Sequence, residues 1–450
     1  MSDWSKTPAA ALGLALLLLA HPLRAETLRL TLADAVGRGL TEGAAAKLAG
    51  AEIERATALA DQARAALRPQ VTGSVLEQSQ SINFETFGFI PPGLSPVVGP
   101  FYVLDGHLTA ALNVLQIAAH KRLDAARQGI QVAKAERLET ENQVATAIST
   151  LYVALLRARA QTAASRANVE LAEHLAASAD RQLDAGTATR IDSTRSQVQL
   201  ARQRDAQVAA RAQEAAAQLA LLRAVGAPMD AEVELVDALL EQPPAPVVLA
   251  DALVAARAGR PDLQASSERV LAAEIQVAAA KADRLPTIGL QAQGGYSGNN
   301  VNNLLWTRAV GALVTVPIYT GGLTPARIAE ATTRLEEARI EHHDLERQVE
   351  QDVRRAILDY EAAQSRVALA ERNRALANEE LDHAQERFSS GVANALEVDN
   401  AQNSVTTATD IRVAALAAQA QAWFDVEHAT GRIRELIPSA APSAHRESDR

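Results

Sequence analysis

Cysteine is absent from the 450 residues. No disulfide can brace this fold, and no lipid can be attached through an N-terminal cysteine. Aromatics are scarce, with 3 Trp, 5 Tyr and 6 Phe, so the core must be built from aliphatic and small side chains. Beyond the first residues there is no run of about 18 uncharged apolar residues, which excludes a membrane-spanning helix. If the chain crosses a bilayer, it does so as β-strands. No basic stripe marks a nucleic-acid interface, and the net charge of −10 selects no partner by itself. P-loop, Gly-x-Ser-x-Gly and His-Glu-x-x-His patterns are missing. His342 and His343 are adjacent and would point about 100° apart on a helix, so they cannot share one ligand face. His174, His383 and His428 stand alone, while Glu336-Glu337 and Glu379-Glu380 read as solvated helix faces. No enzyme activity, cofactor or metal site is expected.

The N-terminus reads as an export signal over residues 1–25. Lys6 supplies the positive start, residues 9–20 an apolar stretch too short to span a bilayer, and Leu23-Arg24-Ala25 the cleavage site. Leu23 is larger than the small residue usual there.

What the chain does have is repetition. Leu32-Ala33-Asp34-Ala35 recurs as Leu249-Ala250-Asp251-Ala252 and Pro69 as Pro286, both 217 positions on. Gly186 recurs as Gly391 and Gly226 as Gly431, both 205 positions on. Each copy runs helix, proline, two short alternating segments, a very long helix, a glycine and another helix. Internal duplication of this kind sets the architecture.

Apolar and small residues fall in heptad order along the long segments. In the first copy these are Val144, Ile148, Leu151 and Leu155, then Val169, Ala172, Ala176, Ala179 and Leu183, and Val208, Ala212, Ala215, Leu219 and Leu222. The second copy has Val349, Val353, Ala356, Tyr360, Ala363, Val367 and Ala370, then Ala377, Leu381, Ala384 and Phe388. No proline interrupts residues 118–184, which predicts a helix roughly 100 Å long. Gly186 and Gly391 read as the left-handed stops of two antiparallel helical hairpins. A two-stranded coiled-coil stalk is the plainer reading of the helices alone.

The alternating segments predict strands over 70–81, 107–116, 286–297 and 308–318, the last including Val316 and Ile318. Each is about the length of a tilted transmembrane strand. Phe84, Phe87, Phe89, Phe101, Tyr102, Tyr296, Trp306 and Tyr319 gather in these zones, as interface girdles do. Residues 82–106 read as the longer external loop, 297–307 as a short one. Four strands leave open edges that lipid cannot satisfy, so the chain must oligomerise. Three copies would close twelve strands.

This pattern resembles the TolC-like outer-membrane efflux family over residues 32–434. The likeness rests on the duplicated layout, on Pro69 and Pro286, and on Val316-Pro317-Ile318-Tyr319-Thr320-Gly321-Gly322. It rests also on Phe388-Ser389-Ser390-Gly391 leading into Leu396-Glu397-Val398-Asp399-Asn400-Ala401-Gln402. The motifs are individually weak, but their order and spacing are specific. The resemblance implies a mainly α homotrimer: a twelve-stranded membrane β-barrel continued by a long periplasmic α-helical barrel. An equatorial belt would take residues 227–248 and the chain ends. It implies a duct in the outer membrane of a Gram-negative bacterium that does no chemistry, docked by a periplasmic adaptor and energised by an inner-membrane transporter.

The resemblance also places Asp192 and Glu397 on the acidic positions that narrow the periplasmic entrance. Asn400 departs from a position acidic in well-known members, and Ala393 from one that is arginine in some. Arg190 on the other tip is the candidate replacement, and Asp399 would face a neighbouring helix. Gly186, Thr187, Gly391 and Val392 would form the tips that dock the adaptor. The expected division is a first repeat over 26–226, a linker over 227–248, a second repeat over 249–434 and a tail over 435–450. Two alternatives carry different consequences. The duct of a type I protein-secretion system has the same fold. A non-pore periplasmic coiled-coil adaptor would lack membrane-length strand pairs.

Overall fold

The computed structural model describes residues 27–88, 92–93, 95–238, 246–390, 392 and 395–436. The expected export signal, Phe89, Gly391, Ala393 and residues 437–450 lie outside them. The first half runs β1 (Thr27–Leu30), α1 (Leu32–Glu42), α2 (Ala44–Ala65), β2 (Gln70–Asn83), β3 (Val97–Leu115), α3 (Ile117–Asp184) and α4 (Arg190–Val225). The second runs β4 (Glu232–Leu235), α5 (Leu249–Gly259), α6 (Pro261–Ala282), β5 (Thr287–Gly298), β6 (Leu305–Thr315), α7 (Leu323–Ser389) and α8 (Ala395–Ala429). Among the described residues no helix is long and apolar enough to cross a membrane.

The two longest helices, of 68 and 67 residues, are each about 100 Å long and set the length of the molecule. The partners α4 and α8 have 36 and 35 residues and cover only half of each rod. The 22-residue helices α2 and α6 cover the other half. α3 packs on α4, α2, α6 and α8, and α7 on α8 and α6. Alanine lets the backbones approach: Ala172, Ala176 and Ala179 with Val169 and Leu200 close the first hairpin. Leu381, Ala384, Val398 and Ala401 close the second, with Leu171 and Leu175 of α3 against them.

One heptad series behaves otherwise. Val208, Ala212, Ala215 and Leu219 lie on the exposed face of α4, while Ser196, Gln199, Leu200, Gln203 and Ala210 are buried. Both faces of α4 carry small residues, and the partner rather than the periodicity decides which is covered.

Where the sequence predicted one helix ahead of each proline, there are two. Gly43 parts α1 from α2 and Arg260-Pro261 parts α5 from α6. Proline suits the first helical position because its missing N–H is unneeded there. The structure also contains a parallel pair that the sequence reading lacked, β1 with β4, registered Leu28 to Val233 and Leu30 to Leu235. It covers a core of Leu30, Val36, Ile148, Tyr152, Leu155, Leu221, Leu222 and Val225. The Tyr152 hydroxyl lies 3.0 Å from the Leu30 carbonyl and 2.8 Å from Asp237 Oδ2, which also accepts from Leu32 N at 2.8 Å. Four-residue strands are too short to show a period, which is why they were not legible.

On α8, His428 is half-buried, with Nδ1 2.9 Å from Thr146 Oγ1 of α3. Burial holds its imidazole below the ordinary value, Arg260 pushes it down further, and Asp262, Asp425 and Asp352 oppose this. A histidine depressed in the fold is neutral there, whereas the unfolded chain takes the proton near pH 6.5. Stability is therefore expected to fall as pH drops below about 6.5, because the unfolded state then binds more protons. His428→Gln should flatten that acid limb in pH-dependent melting curves; an unchanged limb would show that His428 does not cause it.

Candidate functional site

Strands β2, β3, β5 and β6 form one antiparallel sheet in that order. β3 starts at Val97, ten residues ahead of the expected 107, because Val97 and Val98 pair with Asn83 and Ile82 beyond a register shift. The expected 82–106 loop shortens accordingly. β6 ends at Thr315, so Val316 and Ile318 are not strand residues. Pro317 has no N–H to donate and forces the turn into α7.

Cross-strand partners share a face. Rows Val71–Ala110–Ala292–Val310, Gly73–Leu108–Gly294–Arg308, Val75–Gly106–Tyr296–Trp306 and Leu112–Leu290–Ala312 form one face. These rows are apolar except for Arg308, and the next row on the same face sets Glu77 beside Leu104 and Gly298. The intervening rows are Gln70–Ala111–Gln291–Gly311, Thr72–Thr109–Gln293–Ala309 and Ser74–His107–Gly295–Thr307. These are polar or small. On that face His107 Nε2 meets Thr307 Oγ1 at 3.1 Å, and its other nitrogen contacts Asp105. The apolar face is bare: Val75 is 82% and Val310 83% exposed. Tyr296 and Trp306 meet edge to face at 5.2 Å on it. The sheet is thus mainly apolar on one side, with Leu76, Leu305 and Leu313 among the polar or small residues of the other, and β2 and β6 are its outer strands.

About 100 Å away are the hairpin tips. Gly186 takes φ +74°, and the Thr187 amide donates to Gln182 O at 2.9 Å. The Val392 amide donates to Arg387 O at 3.0 Å in the same way. Both helices thus end in the same six-to-one turn. Thr187 and Val392 are both exposed.

Asp192 and Glu397 lie in the first turns of the two return helices. Asp192 caps α4: its Oδ2 accepts from the Thr189 hydroxyl at 2.5 Å and from the Thr189 amide at 3.0 Å. These bonds hold its carboxyl below the ordinary range. Glu397 pairs with Arg387 at 2.9 Å across its own hairpin. Arg190 is exposed and makes no ion pair among the described residues. Asn400 is exposed in a groove with Asn373, Glu380, Asn403 and Thr407, and Asn403 accepts from Gln199 of the other hairpin at 2.8 Å.

The structure brings Asp192 close to Asp399. Asp399 is half-buried; burial pushes its carboxyl up, the Arg195 guanidinium opposes this, and the Asp192 carboxylate adds to it. The resemblance had Asp399 facing a neighbouring helix; packing shows which one, the return helix α4 of the first hairpin that carries Asp192 and Arg195. An acid raised in the fold gains stability as pH falls towards its folded value. Asp399→Asn is therefore expected to melt at or above wild type at neutral pH and to lose that gain on mild acidification. A lower neutral melting point would show the Arg195 contact outweighing the burial.

His342 and His343 both approach Glu346, through different oxygens at 4.0 and 3.2 Å. They converge on one carboxylate despite their divergence, since Glu346 lies three and four residues on. Among the described residues no cluster of three or more His, Asp or Glu could hold a metal.

A barrel-wall sheet joined to a sheaf of very long helices is the protomer architecture of outer-membrane channel proteins. Its fold matches the outer membrane protein VceC of Vibrio cholerae with a TM-score of 0.75 at 19% identity, over 89% of this chain and 96% of that one. The chain is 29% identical over 378 residues to the outer membrane efflux protein BepC of Brucella suis, covering 82% of this chain and 78% of BepC. It is 30% identical over 194 residues to the alkaline protease secretion protein AprF of Pseudomonas aeruginosa, covering 42% of this chain and 40% of AprF. The model of the outer membrane efflux protein family matches residues 47–227 and 252–432. The chain belongs to that family.

Proposed function

We propose that the protein is the outer-membrane duct of a tripartite efflux system, passively conducting cargo delivered by an inner-membrane transporter. The observation that carries this reading is the two-faced sheet, unpaired at β2 and β6. In lipid those edges must be satisfied, and three copies joined β6 to β2 close twelve strands with the apolar rows outward. The helices then continue the wall as a periplasmic tunnel of about 100 Å. The family model matches twice with a constant offset, 252 − 47 = 205 and 432 − 227 = 205, which supports an internally duplicated chain with repeats over 26–226 and 249–434. Three doubled units give approximate sixfold repetition. The tips at Gly186, Thr187, Gly391 and Val392 are assigned to a periplasmic adaptor protein.

Asp192, Glu397 and Asp399 are assigned to the entrance, with Arg190 and Asn400 beside them. Rings of three carboxylates concentrate cations. Opening requires the second hairpin to move against the first, exchanging contacts such as Gln199–Asn403 and Arg195–Asp399. The adaptor biases this through unequal affinity for the two packings.

A second reading, the duct of a protein-secretion system, is favoured by the likeness to AprF. Export assays separate the two. Deletion that sensitises cells to small toxic compounds supports efflux, and loss of a secreted protein supports secretion. The duct itself is tested by planar-bilayer conductance of the purified protein. Glu397→Gln with Asp192→Asn is expected to lower cation-over-anion preference, on the order of twofold or more. Recovery of a soluble monomer that never conducts would sink the reading.

A further inference from the structure

We propose that the junction between sheet and helices is a basic collar that binds anionic phospholipid headgroups in the membrane leaflet on the helical side. This rests on the reading that the sheet spans a membrane. The starts of β2 and β5 and the ends of β3 and β6 lie along one edge of the sheet, since Gln70 pairs with Ala111, Leu115 with Ile288 and Thr287 with Thr315. The four helix ends that join these strands therefore meet at one level.

Within a dozen residues of that edge, in 58–69, 116–127, 275–286 and 316–327, there are eight Lys or Arg and three carboxylates, Asp61, Asp124 and Asp283. That excess of five positive charges stands in a chain whose net charge is −10. The strands and their outer connections, 70–115 and 287–315, reverse the sign, with Glu77, Glu85 and Asp105 against Arg308 alone. Phosphate-bearing lipid is therefore matched at the helical side of the bilayer and not at the far side.

Local structure does not use up this charge. Asp283 is shared by Arg122 at 2.6 Å and Arg327 at 3.8 Å, and Asp124 by Lys121 and Arg127. Arg68, Lys281 and Arg284 are exposed and engage no carboxylate among the described residues. Helix dipoles explain only part of the pattern. Arg64 and Lys281 suit the C-terminal turns of α2 and α6, but α3 and α7 start here with no acidic residue in the first turn. Their positive ends add to the cations. Exposed apolar groups sit at the same level: Ile318 is 94% and Tyr319 88% exposed. Apolar or aromatic side chains beside Lys and Arg are the composition of a membrane interface, where long cations reach headgroups.

The test uses the full chain reconstituted in phosphatidylcholine bilayers. Co-flotation with lipid is scored first, and then the motional restriction of spin-labelled phosphatidylglycerol against spin-labelled phosphatidylcholine. The expected result is a preference for phosphatidylglycerol, on the order of threefold to tenfold. It should be lost in the triple variant Arg68→Gln, Lys281→Gln, Arg284→Gln. It should be kept in Arg68→Lys with Arg284→Lys, which retains the charge, and in Arg308→Gln. Failure to co-float would remove the barrel reading and the collar with it. Co-flotation with equal association of the two lipids would overturn the collar alone. So would displacement of phosphatidylglycerol by inorganic phosphate at constant ionic strength, or equal loss in Arg308→Gln.

Discussion

Gly295→Val is expected to abolish the assembled barrel while leaving synthesis of the chain unaffected. A Cβ built at Gly295 would stand 2.1 Å from the Gly106 carbonyl oxygen and 2.7 Å from His107 Cα. Those atoms are backbone of β3, which pairs with Gly295 in the middle of the sheet, so no flexible side-chain end can swing away. Relief requires β3 and β5 to separate or slip. A one-residue slip would exchange the apolar and polar rows of the whole sheet. Overpacking in a soluble core costs about 1–3 kcal/mol; here the same clash also breaks the pairing that lipid requires. Heat-modifiable migration of membrane fractions on gels should lose the oligomer band. Gly311→Ala is the control, because a Cβ there meets nothing within 4 Å. If Gly295→Val assembled as well as Gly311→Ala, the central β3–β5 pairing would be wrong.

Arg260→Ala should cost about 3–5 kcal/mol, the range for stripping one partner from a buried ion pair. The Arg260 side chain is 9% exposed and lies against Asp262 at 2.5 Å and Asp352 at 3.2 Å. It ties the α5–α6 joint to α7, with neutral His428 nearby. Removal leaves two carboxylates facing each other without their cation, so the loss should exceed that of any exposed pair, such as Arg166 with Glu170, where removal costs ~1 kcal/mol or less. Thermal unfolding of Arg260→Ala beside Arg166→Ala measures the difference. A further Asp352→Asn change should restore part of the loss, because it removes one orphaned charge. Equal melting of the two single variants would show that the joint is not held by this cluster.

The long helices were legible because their signal is redundant: Val349, Val353, Ala356 and Tyr360 are a seam in sequence and are buried in the fold. The sheet was legible in the alternation after Pro286, and its ends at Pro317 were misplaced by a few residues where apolar residues continue past the last hydrogen bond. The first tip was legible as a glycine stop, since Gly186 takes φ +74°. Asp399 was read as facing a neighbouring helix and lies near Arg195 and Asp192 of α4, but the sequence reading did not foresee that Asp192 is occupied by its own Thr189. One-dimensional spacing shows which side of a helix a residue is on, but not which neighbour covers that side. Val208 and Leu219 on α4 illustrate the same limit.

The sequence alone determined that this chain has no disulfide, and it pointed to very long helices, paired strands and a resemblance to outer-membrane efflux proteins. Those properties are local or periodic, so they survive without coordinates. Only the tertiary structure decided the row-by-row division of the sheet into apolar and polar faces, the β1–β4 pair, and the Arg260 cluster. It also decided the convergence of four helix ends into one basic level. Each of these joins residues far apart in the chain through register and packing, which no spacing along the sequence encodes.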